Sequence, residues 1–176
     1  MLKDFNLIVT TSRGNEKAVC SEVWYLLWEI GDRNPQADTT GVTGLITAKT
    51  SFPPFDAVKK LRLMLQDRPH EFRFSLRLIP IQKVVETDSD EIAKAVEELG
   101  SSIQKGETFR VTVEKRHSPI DREIIIVTVA ARINRKVKLI DPDKTILIEV
   151  IGGKTGVSVL KQDDILSVEK EKITDW

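Results

Sequence analysis

Thr108-Phe109-Arg110-Val111-Thr112-Val113-Glu114 alternates apolar and polar side chains, and the next six residues, Lys115-Arg116-His117-Ser118-Pro119-Ile120, are basic and broken by proline. The period of two predicts a strand with Phe109, Val111 and Val113 on one face and Arg110, Thr112 and Glu114 on the other. The proline-containing stretch predicts a loop. Beyond it the period changes to that of a helix. Ile126, Val129, Ala130 and Ile133 recur at that spacing, which predicts a helix over about 121–136. On such a helix Thr128, Arg132 and Arg135 line one flank, and Lys136 widens it. Strand, loop and helix would then share one cationic surface.

The charge is local. Residues 105–140 hold nine Lys and Arg (Lys105, Arg110, Lys115, Arg116, Arg122, Arg132, Arg135, Lys136 and Lys138) against four acids (Glu107, Glu114, Asp121 and Glu123). The whole chain is neutral, with 27 basic and 27 acidic residues. A basic island in a neutral protein points to a polyanionic partner, most simply nucleic acid.

Towards the C-terminus, Val137–Ile140 and Thr145–Ile151 read as short strands separated by Asp141-Pro142-Asp143. Gly152-Gly153-Lys154-Thr155-Gly156 reads as a turn into a strand at Val157–Leu160. Ile165–Val168 can add a strand in the charged C-terminal 16 residues, which end at Trp176. Towards the N-terminus, Thr87-Asp88-Ser89-Asp90 starts a helix whose face is Ile92, Ala93, Val96 and Leu99, and Gly100 ends it.

The first half reads strand (5–11), helix (15–30, Asn15 as N-cap), strand (36–40), strand (45–48), helix (54–66) and a long strand (72–86) bent at Pro80. That order is the split βαβ, or ferredoxin-like, arrangement. Cys20 is expected in the core of the first helix. Trp24 and Trp28, four apart, are expected to pack in a core or interface, and can otherwise stack bases. The expected fold class is α+β, with an N-terminal ferredoxin-like domain (1–86) packed on a C-terminal α/β domain (87–176) that includes a short extension.

Composition excludes several classes. At 176 residues, 40% hydrophobic and 31% charged, the chain reads as a globular protein that needs no disulfide or metal staple. A single cysteine fits a reducing, cytoplasmic setting. No apolar run approaches the roughly 18 residues of a membrane span, so no membrane association is expected. Two histidines and one cysteine make no metal cluster. Gly153-Lys154-Thr155 resembles the end of a phosphate-binding loop, but Ile148 occupies the required earlier glycine position and a strand follows. Paired acids such as Asp141/Asp143 lie in turns. No cofactor and no catalytic activity are expected.

The stretch 107–160 resembles the THUMP domain, an RNA-binding module of tRNA thiouridine synthases, RNA methyltransferases and pseudouridine synthases. The matching features are Thr108-Phe109-Arg110-Val111, Lys115-Arg116, the helix from 121, Val137-Lys138-Leu139-Ile140-Asp141-Pro142-Asp143, and Ile146–Val150 followed by Gly156-Val157-Ser158-Val159. With the 88–99 helix the resemblance covers about half the chain. Family members typically carry a ferredoxin-like domain just before the module, and residues 1–86 read that way independently. THUMP enzymes attach a large catalytic domain, whereas this sequence ends about 16 residues after the module.

The layout is similar to stand-alone THUMP proteins that act as tRNA-binding adaptors for N4-acetylcytidine formation. The resemblance therefore implies a non-catalytic partner of a separate RNA cytidine acetyltransferase that holds tRNA near its acceptor end. The alternative is an RNA-binding subunit of a separately encoded methyl- or thio-transferase. A third reading is a module whose basic face binds an acidic protein. The candidate RNA-binding residues are Arg110, Lys115, Arg116, His117, Arg122, Arg132, Arg135, Lys136, Lys138 and Lys154. Arg suits bidentate phosphate contact and Lys acts as a point charge. With few aromatics beside them, they would read shape and phosphate more than bases.

Overall fold

Leu7-Ile8-Val9 offers no polar face to water. In the computed structural model, which describes residues 1–173, it forms the middle strand of a five-stranded sheet. The first unit contains β1 (Leu7–Thr10), α1 (Glu16–Glu29), β2 (Gln36–Thr39), β3 (Leu45–Lys49), α2 (Pro54–Asp67) and β4 (Arg77–Pro80). β1 pairs antiparallel with β3 and β4, and β2 pairs with β3. The spatial order β4-β1-β3-β2 is the ferredoxin-like one expected from the element order. Leu7, Val9, Ile46 and Leu78 of the sheet pack against Val19, Val23, Leu26 and Leu27 of α1 and Val58, Leu61 and Leu65 of α2. This spacing is the one that an amphipathic helix over a sheet requires.

Three local expectations change. Asn15 sits at the N-cap position without a side-chain cap bond; instead Glu16 accepts the Gly44 N–H at 2.8 Å. Gly44 is in the left-handed region (φ 72°), and a Cβ there would lie 2.7 Å from the Thr11 carbonyl oxygen. Cys20 is half-buried at the margin of the core rather than inside it. Trp24 and Trp28 are not core residues: they are 44% and 39% exposed.

The alternation at 72–78 does not make one long strand. β4 begins only at Arg77, because Glu22 of α1, buried beneath this segment, takes the N–H groups a ladder would need. Its carboxylate accepts from Arg73 N (2.5 Å), Phe74 N (3.0 Å), Ser75 N (2.7 Å) and Ser75 Oγ (2.6 Å). Phe72 still buries its ring, so the apolar half of the pattern is kept without the strand. After Pro80 the chain leaves this sheet.

The second unit contains β5 (Lys83–Glu86), α3 (Ser89–Leu99), β6 (Thr108–Arg116), α4 (Arg122–Ala130), β7 (Lys136–Val137), β8 (Lys144–Ile151) and β9 (Lys154–Leu160). Its sheet runs β5-β9-β8-β6-β7. β6 is parallel to β7 and β8, whereas β8 and β9 form an antiparallel hairpin and β5 lies antiparallel to β9. Phe109, Val113, Ile146, Ile148 and Val157 pack with Ile92 and Val96 of α3 and Ile125 and Val129 of α4. Asp88 caps α3 by accepting from Asp90 N and Glu91 N.

The boundaries differ from 1–86 and 87–176. Met1–Ile81 and residues 163–173 form one unit, and Gln82–Gln162 the other. Hydrogen bonding explains both shifts. Residues 83–86 are bonded to β9, and β10 (Leu166–Ser167) pairs with β4, followed by α5 (Val168–Ile173). Arg62 Nε reaches Glu171 at 2.6 Å. The expected strand at 165–168 thus exists, but it extends the first sheet. Trp176 lies outside the described residues.

Replacing Glu22 with alanine should destabilise the protein by about 3 kcal/mol, because it leaves several backbone donors beneath Ser75 without an acceptor. A urea titration should show a lower midpoint with an unchanged slope.

Candidate nucleic-acid interface

β6 carries the basic island through the second sheet. Phe109 and Val113 point into the core against α3 and α4, so Arg110 and Arg116 lie on the opposite face of the strand. Six residue steps along the strand separate those two arginines by about 20 Å. The island therefore divides into a group at each end of β6.

At the first end, α4 stops at Ala130, six residues short of the expected helix. The bonds Arg132 N to the Val129 carbonyl and Ile133 N to the Ala130 carbonyl, at 3.0 and 3.2 Å, tighten its end. Arg132, Arg135 and Lys136 are consequently not on a helical flank. Lys136–Val137 instead lies beside Thr108–Phe109 as the sheet edge, and Lys138 N donates to the Phe109 carbonyl at 2.9 Å. Arg135 Nε reaches the Ile103 and Gln104 carbonyls at 3.1 and 3.2 Å. Arg110 Nη1 reaches the Leu139 carbonyl at 3.1 Å, and its buried Nε has no hydrogen-bond partner. Lys136 and Lys138 are exposed and form no ion pair among the described residues.

Residues 137–140 were expected as a strand. Pairing covers only Val137, and Leu139 and Ile140 stand 72% and 76% exposed. The Asp141-Pro142-Asp143 turn behind them is pinned by Asp143, which accepts Thr108 N at 2.7 Å and Thr108 Oγ1 at 3.0 Å. Those bonds, with the charges of Lys138 and Lys144, hold the Asp143 carboxyl below the usual range. The edge is thus a cationic rim with two uncovered aliphatic side chains. The sequence reads those side chains only as part of a short strand.

At the other end, Lys115 Nζ is held by the Ile120 carbonyl at 2.9 Å. Arg122 is exposed at the start of α4, where Asp121 caps the helix. His117 is exposed at φ 53° and borders a cavity of about 540 Å³ with Asp88, Ser89, Ser118 and Gly153. The adjoining α3 N-terminus does not make this cavity a phosphate cradle. Asp88 already occupies its free N–H groups, and Asp90 and Glu91 follow it.

Three candidates are committed to carboxylates. Arg116 Nη1 pairs with Glu149, whose side chain is 3% exposed. Arg132 Nη1 is 2.9 Å from Glu97, and Lys154 pairs with Glu86 directly across the β5–β9 ladder. Among the described residues no cluster of His, Cys, Asp or Glu could hold a metal ion, and no helix is long and apolar enough to cross a membrane.

This parallel–antiparallel sheet backed by two helices has a counterpart among known families. Residues 86–160 match the family model of the THUMP domain. An uncharacterized protein of Methanocaldococcus jannaschii is 34% identical over 102 residues, which cover 54% of this chain and 28% of that protein. The solved structure of PH1313 from Pyrococcus horikoshii superimposes with a TM-score of 0.63 at 19% identity, covering 89% of this chain and 54% of that one. A 4-thiouridine synthetase solved as an RNA complex with bound ATP gives 0.51 at 13% identity, covering 93% of this chain and 42% of that one. At such identities the solved structures show a shared fold. The chain spans 28% of the length of the curated relative and about half of the solved chains.

Within the region that matches the THUMP domain the Arg116–Glu149 pair braces β6 against β8. Arg116→Ala leaves a nearly buried carboxylate without its guanidinium and should cost about 2–3 kcal/mol, below the full value for a buried pair because Arg116 is partly exposed. Thermal unfolding should show this as a lowered Tm, with Arg122→Ala close to wild type.

Proposed function

We propose that this chain binds tRNA through its THUMP domain and serves tRNA modification without performing the chemistry itself. Phosphates are held at the β7 edge by Lys136 and Lys138, with Arg110 and Arg135 adding charge behind them, and by Lys115, His117 and Arg122 at the far end of β6. The observation that carries this reading is the pair of exposed lysines at the β7 edge, Lys136 and Lys138, which form no ion pair among the described residues, whereas Arg116, Arg132 and Lys154 are paired. Unpaired cations fixed on a sheet edge are available to a polyanion at little reorganisation cost. The RNA bound to the 4-thiouridine synthetase of similar fold supports the same class of ligand. An acceptor end, a short A-form duplex with a single-stranded tail, suits phosphate and shape reading.

The finer proposal is that the bound tRNA is presented to a separate RNA cytidine acetyltransferase. Its support is the resemblance to stand-alone THUMP adaptors. The exposed Leu139 and Ile140, beside the cationic rim, offer a protein partner an apolar contact next to bound RNA. The likeness to the thiouridine synthetase favours the second reading, service to a thio- or methyl-transferase.

The paired variant Lys136→Glu/Lys138→Glu should weaken tRNA binding by roughly 10- to 100-fold near physiological salt and lower the log–log salt slope by about 2. A filter-binding titration at several salt concentrations measures both, and unchanged binding would remove the β7 edge from the interface.

Deleting the gene in its host should abolish N4-acetylcytidine in purified tRNA, with recovery on re-expression of wild type but not of the double-lysine variant. Nucleoside mass spectrometry reads the result. Loss of a methylated or thiolated nucleoside instead would transfer the chain to the second reading.

A further inference from the structure

In the first unit, Trp24 and Trp28 of α1 lie in the open as a parallel stack, with ring centroids 5.4 Å apart and an interplanar angle of 10°. The helix buries its other stripe, Val19, Val23, Leu26 and Leu27, so the indoles are not left over from core packing. Parallel overlap at this angle is the geometry of stacked planar rings rather than of edge-to-face core aromatics. One end of the stack is closed: the Arg33 guanidinium sits 4.5 Å from the Trp28 ring centroid. At the other end, one helical turn before Trp24, a cavity of about 330 Å³ opens between Trp24, Cys20, Ser21 and Ala37.

We infer that the open face of Trp24 is a stacking site for an unpaired nucleobase of RNA. The small side chains Cys20, Ser21 and Ala37 leave a slot beside a flat indole. A third aromatic plane placed there continues the column Arg33–Trp28–Trp24. Burial, followed by the charge of Asp38, pushes the Cys20 thiol up, so the floor of the slot is neutral. Asp38 itself is paired with the Met1 amino group at 3.0 Å. Lys17 lies one turn further back on the same stripe, exposed and with no ion pair among the described residues. It stands where the phosphate of a stacked nucleotide would run. A flat slot with a cation at its mouth fits a nucleotide base better than the branched aliphatic side chain of a protein partner.

The inference rests on the RNA-binding reading of the THUMP domain, and its test separates the two. Full-length protein is titrated with an RNA hairpin bearing a short single-stranded 3′ tail, with the same hairpin lacking the tail, and with one whose tail is abasic. Wild type should bind the tailed hairpin roughly 5- to 100-fold more tightly than either control, the range expected for one base on an aromatic ring. Tryptophan fluorescence should be quenched only by the tailed RNA. Trp24→Leu should bring the tailed hairpin down to the level of the controls and leave the controls unchanged, and Trp24→Phe should retain most of the difference. Equal binding of tailed and abasic RNA by wild type, or full tail preference in Trp24→Leu, overturns the stacking site and leaves the indole pair as a protein-docking surface. If wild type binds none of the three hairpins, the RNA reading fails first and this inference falls with it.

Discussion

The second unit depends on the eight-residue parallel register between β6 and β8, from Phe109 opposite Lys144 to Arg116 opposite Ile151. A parallel pair cannot be joined by a tight turn; it requires a crossover, here the segment containing α4 and β7. The pairing also gives β6 two faces with different duties. Phe109 and Val113 complete the core under α3 and α4, and Arg110 and Arg116 are carried to the other side. Arg110 is therefore placed by a hydrophobic constraint one residue away, and Arg116 by the same alternation continued past Val113. A register slip of one would bury arginines, at a cost no phosphate contact could repay.

Much of this was legible in the residues. The ferredoxin-like order follows from periodicity alone, because Leu7-Ile8-Val9 and the stripe through Val19, Val23, Leu26 and Leu27 permit little else. The capped start at Asp88 and the Gly152-Gly153 turn were equally plain. What misled was periodicity whose backbone partner lay far away. Phe72 and Phe74 alternate with Arg73 and Ser75 as a strand would, yet Glu22, some fifty positions earlier, claims the N–H groups of Arg73, Phe74 and Ser75. A buried acid on the apolar side of a helix was the available signal, since such a carboxylate must find donors. The same reasoning covers α4. Ile133 continues the helical period and still packs on the core, but through a tightened turn that sends Arg135 and Lys136 to the sheet edge.

Charge was the least legible property, because counting cannot distinguish a paired cation from an available one. Arg116 and Lys136 are both basic residues of the same island. One is neutralised by a buried glutamate on the adjacent strand. The other stands on an edge strand, where charged side chains also discourage strand addition by another chain. The difference is set by cross-strand neighbours: Glu149 and Arg116 share one face of adjacent strands, and Glu86 is directly opposite Lys154. Once β5–β9–β8–β6–β7 is known, the island of nine cations reduces to a few at the two ends of β6, and those are the ones the proposed polyanion contact uses.

The two kinds of contact proposed for this chain obey different physics, and that sets what each can contribute. Lysines on an edge strand gain their affinity by releasing counterions, so their effect falls steeply with salt and carries no information about base identity. An indole face gains by stacking and desolvation, which salt barely screens, and it distinguishes an unpaired base from a base in a duplex because only the former exposes its plane. A protein that must hold tRNA at a chosen place cannot do so with the lysines alone, since every helical segment of RNA offers them the same phosphates. Selection of a single-stranded feature requires a group that a duplex cannot satisfy. That is the role proposed for the uncovered Trp24–Trp28 stack, and it gives an exposure of 44% on a tryptophan, costly in water, a physical justification.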